Sequence, residues 1–311
     1  KKYQAAPPVI ESDLVSQGTT ISGSSTNGGT VYLYYKDREA VSTQCSGNAW
    51  SFTTDPLQSG ASVQLYADVE GMTPSYLVST TVGYLGSGTE ADPYRIYTAA
   101  DLQGACNRGY YKIMNDIDLT NWINENSPKS GWVAIGRNSG ESTYINGDGH
   151  KITGLWINTT DDYTGLFSNF SAGIIKNLTV EVANGKSVKG GNYTGILIGR
   201  NANGQIINCD VKGAVEGSSI VGGVVGYSEN NTIDNVAFTG SVTSSASDAK
   251  VGGFAGQSVN DNLSTIRTNV TITTSQTKAS VGGVIGYTTS SVINKAKSNA
   301  NITVGGSASY V

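Results

Sequence analysis

The sequence predicts an all-β protein in two parts, a small β-sandwich followed by a parallel β-solenoid, and three observations predict it. Only 14% of the 311 residues are charged, 40 are glycine, and Ser, Thr and Asn fill much of the remainder, a composition that disfavours helices and favours turns and strands. Between Pro8 and Val82 short runs alternate apolar and polar positions. Beyond that stretch the chain repeats itself with a period near 30 residues.

In the first part, the runs TTISGSS, VYLYYKD, AWSFTT, SVQLYADV and YLVSTTV are separated by turn residues at intervals of about ten positions. Trp50 and Phe52 alternate with Ser51 and Thr53, and Val63, Leu65 and Ala67 alternate with Ser62, Gln64 and Tyr66. That is the period of strands with one buried face. Six or seven such strands within residues 1–85 predict a sandwich. Tyr32 and Tyr34 share one face of their run while Leu33 and Tyr35 share the other, so one tyrosine pair is expected to face solvent. The order of I-S-G-S around Gly23, G-G-T-V-Y-L at Gly28 to Leu33, G-N-A-W-S-F at Gly47 to Phe52, L-x-x-G at Leu57 to Gly60 and T-P-S at Thr73 to Ser75 resembles bacterial Ig-like domains of surface proteins. The resemblance implies a core position for Trp50.

GYLGSGTE, Gly83 to Glu90, is a Gly/Ser-rich junction, and the boundary between residues 1–85 and 86–311 is placed near Gly86. Thr98 then precedes Ala99, Ala100 and Asp101, with Leu102, Ala105 and Cys106 at helical spacing. An N-cap oxygen ahead of an apolar stripe, with an acid in the first turn, predicts one short helix. It is expected to cap the solenoid, whose first coil otherwise exposes core side chains and strand edges.

The repeats are YTGLFSN from Tyr163, YTGILIG from Tyr193, VGGVVGY from Val221, VGGFAGQ from Val251 and VGGVIGY from Val281. Their central glycines, Gly165, Gly195, Gly223, Gly253 and Gly283, are spaced by 30, 28, 30 and 30. A second column reads Ile175-x-Asn177, Ile206-x-Asn208, Ile233-x-Asn235, Ile266-x-Thr268 and Val292-x-Asn294. A unit of this length with three short β-runs cannot bury its apolar face alone and must stack on its neighbours. At about 4.8 Å per coil, six or seven coils between Tyr110 and Val304 would extend on the order of 30 Å. Like residues then stack: Val221, Val251 and Val281 as an aliphatic column continued by Tyr163 and Tyr193, and the Asn/Thr positions as a hydrogen-bonded ladder.

These repeats, with the lead-in GSGTEADPYRIYTAADL at Gly86 to Leu102, NDIDL at Asn115 to Leu119, GWVAIG at Gly131 to Gly136, INGDGHKITGL at Ile145 to Leu155 and TGLFSN followed by IIKNLTV, resemble GLUG-motif proteins from Gly86 onward. The resemblance implies a right-handed parallel β-helix and an exported scaffold. Such repeats occur in secreted or surface-attached bacterial proteins, including adhesin-like proteins and the non-catalytic part of some immunoglobulin A peptidases. The implied location is extracellular or on the outer-membrane surface of a bacterium, with the signal already removed.

Composition narrows the partners. Lys and Arg number 20 against 24 Asp and Glu, and the basic residues are scattered, so no stripe exists to neutralise a phosphate backbone and nucleic acid is not expected. No apolar run reaches the ~18 residues of a membrane helix, so the chain is not expected to be transmembrane. Cys45, Cys106 and Cys209 lack C-x-x-C spacing and read as buried apolar residues. The final GGSASYV, residues 305 to 311, offers no obvious cap for the far end, which predicts either further chain or a covering partner.

The catalytic inventory is thin. His150 is the sole histidine, so an H-E-x-x-H zinc site is impossible, and a Ser-His-Asp triad would have to use a residue in the turn G-D-G-H-K. Asp116, Asp118, Asp161 and Asp162 are the acids available to a polysaccharide lyase or hydrolase, but Asp161-Asp162 follows Gly149-His150 where a galacturonase-like site has the reverse order. In N-D-I-D-L, alternation turns Ile117 inward and Asp116 and Asp118 outward, for turn capping or a weak calcium site; no other cofactor is expected. For ligand binding the candidates are Trp122, in the irregular insertion TNWINENSPKSG, and Tyr227 and Tyr287, which share one phase two coils apart with Gln257 between. Trp132 reads as core. The leading expectation is a non-catalytic adhesin-like module that meets a host surface protein, a glycan or another cell-envelope component. A carbohydrate-active β-helix enzyme and a purely structural stalk are the alternatives.

Overall fold

The computed structural model describes residues 2–36, 38–105, 107–136, 142–275 and 277–305. Cys106 and residues 306–311, on which expectations about burial and the far end rest, lie outside the described residues. The chain divides into two compact units, Lys1–Ser87 and Gly88–Val311.

The first unit has two antiparallel sheets. One orders Val9–Ile10, Thr20–Ser24 and Ala49–Thr53; the other orders Val41–Gln44, Thr30–Tyr35, Ser62–Asp68 and Val78–Thr81. Alternate residues of both turn into a single apolar cluster, with Ile21, Leu33, Trp50, Val63 and Leu65 buried. On the outward side of the second sheet, Tyr32 stacks on Tyr66 at 4.7 Å and Tyr34 lies 6.3 Å from the same ring. Tyr35 turns the other way, packs against the cluster, and accepts a hydrogen bond from the Gln58 amide at 2.9 Å.

In the second unit the paired strands of successive coils run parallel. They form a β-solenoid of about six turns. Each of the later coils supplies a strand to each of three sheets. The third sheet joins Thr194–Gly195, Ile220–Gly222, Lys250–Gly252 and Ser280–Gly282; the second joins Phe167–Ser171, Ile198–Ala202, Val225–Glu229, Ala255–Val259 and Ile285–Thr289. The main sheet carries the long bent strands Gln205–Gly217, Thr232–Ser244, Asn262–Thr274 and Val292–Val304. Apolar residues stack inside: Ile175 on Ile206, Ile206 on Ile233, Ile233 on Leu263 and Leu263 on Ile293.

The observed register corrects two of the expected columns. Val221, Val251 and Val281 do stack, but Thr194, not Tyr193, continues them. Gly195 accordingly pairs with Gly222, one residue before the Gly223 expected. Likewise Leu263, not Ile266, continues the isoleucine column, and Ile266 pairs with Val236 and Ala296. Register follows the left-handed corner. Asn177, Asn208, Asn235, Thr265 and Lys295 have φ of 55°, 53°, 52°, 57° and 59°, a conformation asparagine tolerates better than most residues. The corner asparagines form the ladder: Asn177 donates to Asn146 at 3.1 Å, Asn208 to Asn177 at 3.1 Å and Asn235 to Asn208 at 2.9 Å. Thr268, expected in that ladder, is buried and bonds the Gly283 carbonyl and Ser298.

Two of the changes in coil length lie at corners. The pairing offset is 31 residues at Glu181↔Lys212 but 27 at Ser187↔Ala214, which places four extra residues at 183–186. It is 27 at Gly217↔Ser244 but 30 at Ile220↔Lys250, which places three extra residues within 245–249.

The expected helix is present at Ala99–Gln103 with its capping box: the Thr98 hydroxyl accepts from the Asp101 amide at 3.1 Å, and the Asp101 carboxylate accepts from the Thr98 amide at 3.0 Å. A second helix, Thr120–Asn126, stands where an irregular insertion was expected. Its residues are poor helix formers, yet Ile123 is fully buried and Asp118 accepts from the Thr120 amide at 2.9 Å, which pins the first turn. Cys45 and Cys209 are buried, and burial pushes the Cys209 thiol up to about 12.

Candidate functional site

The outward face of the five-stranded sheet carries the densest grouping of aromatic and charged side chains around the predicted tyrosines. The strand Val225–Glu229 departs from strict alternation at Gly226: Val225, Gly226 and Ser228 are buried, and Tyr227 is left partly exposed. The register stacks Asn169, Arg200, Tyr227, Gln257 and Tyr287 in one outward column. Tyr227 and Tyr287 are therefore brought onto one face, two coils or about 9.6 Å apart.

Neighbouring coils furnish this column. The Arg200 guanidinium lies 5.7 Å from the Tyr227 ring centroid, bonds Glu229 at 3.1 Å and reaches Asn169 at 3.3 Å. The Lys250 ammonium lies 4.5 Å from the Tyr287 ring centroid and donates to Gln257 at 2.7 Å. Cations held over rings in this way keep their charge beside an aromatic face. At the adjoining corner Tyr163 stacks on Tyr193 at 5.0 Å, and Tyr193 meets Tyr227 edge-on at 5.7 Å. Both corner tyrosines sit in the left-handed region, at φ 58° and 57°, a strained position for a bulky residue. Tyr163 is 39% and Tyr287 44% exposed. Burial, and then the charge of Glu229, raises the Tyr227 phenol, which stays neutral and able both to donate and to accept.

The other predicted residues lie elsewhere. Trp122 is half-buried on the helix Thr120–Asn126. Asp116 and Asp118 flank buried Ile117 and both face solvent, as alternation requires. Asp116 accepts from the Lys151 amide at 3.0 Å and sits 3.2 Å from His150 Nδ1, and these bonds lower its carboxyl. Asp118 accepts from the Thr120 amide and, at 2.6 Å, from the Thr120 hydroxyl. Among the described residues no group of three His, Cys, Asp or Glu side chains is placed to hold a metal ion. Trp132 is buried and donates to the Leu166 carbonyl at 3.2 Å.

Sequence reasoning missed Arg200, Glu229 and Lys250, along with the outward role of Tyr163 and Tyr193. A signal for Arg200 was present: Gly199-Arg200, Gly226-Tyr227, Gly256-Gln257 and Gly286-Tyr287 occupy one phase of the repeat.

The GLUG motif matches residues 217–243. A stretch of 165 residues is 34% identical to halomucin of Haloquadratum walsbyi, covering 49% of this chain and 2% of that protein. Another of 102 residues is 41% identical to a Gly-rich membrane protein of Evansella cellulosilytica, covering 30% of this chain and 12% of that one. The chain thus matches only a small fraction of the length of these relatives. Among solved structures, an IgA1 protease aligns with 90% of this chain and 27% of its own at 15% identity and a TM-score of 0.45. Among the described residues no helix is long and apolar enough to cross a membrane.

Proposed function

We propose that this chain, a GLUG-motif protein with a β-solenoid body, is a non-catalytic binding scaffold of adhesin type displayed outside the cell. Its contact surface is the tyrosine column of the five-stranded sheet, and its partner is a host surface protein or glycan, or another cell-envelope component. The observation that carries the reading is the register that sets Arg200, Tyr227, Gln257 and Tyr287 one above another, with Lys250 over the last ring. Rings flanked by fixed cations, amides and a carboxylate stack on sugar faces or clasp polar side chains, and they need no reacting group. Asp116 and Asp118, the acids that a calcium site would use, are engaged in holding turns. In this reading the helix Ala99–Gln103 caps the solenoid, the first unit is an Ig-like spacer, and Trp122 is an accessory contact.

A glycan and mucin array probed with the full chain tests this. Saturable binding is expected, weakened about tenfold or more in a Tyr227→Ser, Tyr287→Ser double variant and unchanged in Asp116→Asn, Asp118→Asn. Polysaccharide cleavage that disappears in the aspartate variant would establish an enzyme instead. Absence of saturable binding to the array and to a panel of host surface proteins would leave a stalk.

A further inference from the structure

A different flank of the solenoid carries a second feature. The long strands of the main sheet bend where Val182, Gly213, Gly240, Val270 and Ala300 follow one another up the stack. At two of these levels there is no side chain at all. A hollow of about 690 Å³ opens over Gly213 and Gly240 with Trp156 at its head, and a smaller one of about 290 Å³ continues past Gly240 over Val270 and Ala300. Because Gly240 belongs to both, they form one trough running across the strands.

We propose that this trough holds an extended, uncharged polysaccharide chain. Its walls on the later coils are Thr239, Asn269 and Asn299 on one side and Ser241, Thr271 and Asn301 on the other, in register. All six are hydroxyl or amide side chains, suited to sugar hydroxyls, and the charged side chains at the wider end, Lys186, Lys189 and Glu216, are of both signs, so the trough as a whole is not built for a polyanion or a polycation. The same pair of walls recurs every ~4.8 Å, close to the length of one hexose in an extended β-linked chain, so each coil meets one sugar. Trp156 supplies a ring at the head, with the Lys186 ammonium 4.9 Å from its centroid. A peptide strand has no means of docking here. Its backbone would need unpaired amides along a sheet edge, whereas the strands forming the walls pair with coils on either side over most of the trough. The tyrosine column plays no part in this site, so the two readings fail separately.

Calorimetric titration of the full chain with neutral cello-, manno- and xylo-oligosaccharides of two to six units tests the proposal. Affinity for at least one series is expected to rise with length, about tenfold or more from the disaccharide to the pentasaccharide, and to be indifferent to salt. Trp156→Ala weakens it about tenfold. Because that half-buried ring also packs locally, the exposed Thr271→Trp, which fills the trough, provides a second variant that is expected to abolish the gain with length. Binding to none of the three series, affinity independent of length, or sensitivity to Tyr227→Ser, Tyr287→Ser in place of the trough variants would overturn it.

Discussion

In the first unit Trp50, Leu33 and Leu65 belong to one cluster closed between two antiparallel sheets, whereas in the solenoid Leu263 meets its column only in Ile233 one coil before and Ile293 one coil after. The first arrangement ties distant parts of a short chain into one event. The second makes stability close to a sum of coils and the contacts between adjacent coils. The backbone is used differently too. The turn glycines of the first unit lie on open ground, with nothing near a Cβ built at Gly28, Gly47 or Gly60. In the solenoid, the Gly213 carbonyl occupies the place a Cβ at Gly240 would need.

Glycine replacement should widen this difference most. Gly240→Ala must push two coils apart and is expected to cost more than about 3 kcal/mol. Gly47→Ala, with φ of 61° and open space around it, should cost about 1 kcal/mol for the left-handed backbone alone. Urea titration followed by hydrogen exchange locates each loss, and comparable losses at the two sites would remove the distinction. Next in size is position along one column. Leu263→Ala, at a fully buried level, should cost about 2–5 kcal/mol, and Ile293→Ala, where the side chain is 44% exposed, less than about 1 kcal/mol. Equal losses would mean that the stack unfolds as one cooperative body, as the first unit is expected to do.

The smallest effect concerns a polar group inside the stack. Asp261 is buried, accepts from Ser258 at 2.6 Å and from the Asn231 amide at 2.8 Å, and has its carboxyl raised, chiefly by burial. A raised acid binds its proton more tightly in the folded state, so its contribution is fully present below the unfolded value near 3.8 and is lost as pH rises through the folded value. Glu181, lowered by its bond to Lys212, acts in the opposite sense. Denaturation midpoints of the wild type and Asp261→Asn across this range should therefore converge at the acid end and separate in the variant's favour as pH rises. A difference independent of pH would contradict the assignment.

The architecture was legible because burial leaves period two in the first unit and period thirty in the second. The helix at Thr98 was legible because its cap is local. What escaped notice depended on pairing between coils. Leu263 and Ile266 are equally apolar, and only the left-handed corner at Thr265 shows which of them continues the column. The tyrosine column was half visible, since Tyr227 and Tyr287 share a phase, but Arg200 and Lys250 join it from neighbouring coils. The helix Thr120–Asn126 was hidden by its low propensity and depends on the burial of Ile123. The trough left only two glycines, Gly213 and Gly240, as a trace, and these mark close approach between coils, which does not by itself announce a hollow.

The extra residues at 183–186 and 245–249 lie between paired strand segments, so insertions and deletions can accumulate there while the columns on either side keep their phase. Those two corners are ports for variation. A peptide tag or epitope spliced between Asn184 and Gly185 would ride on the outside of an undisturbed spiral. A lineage under pressure to change its outer appearance could redraw these corners repeatedly without refolding anything beneath them.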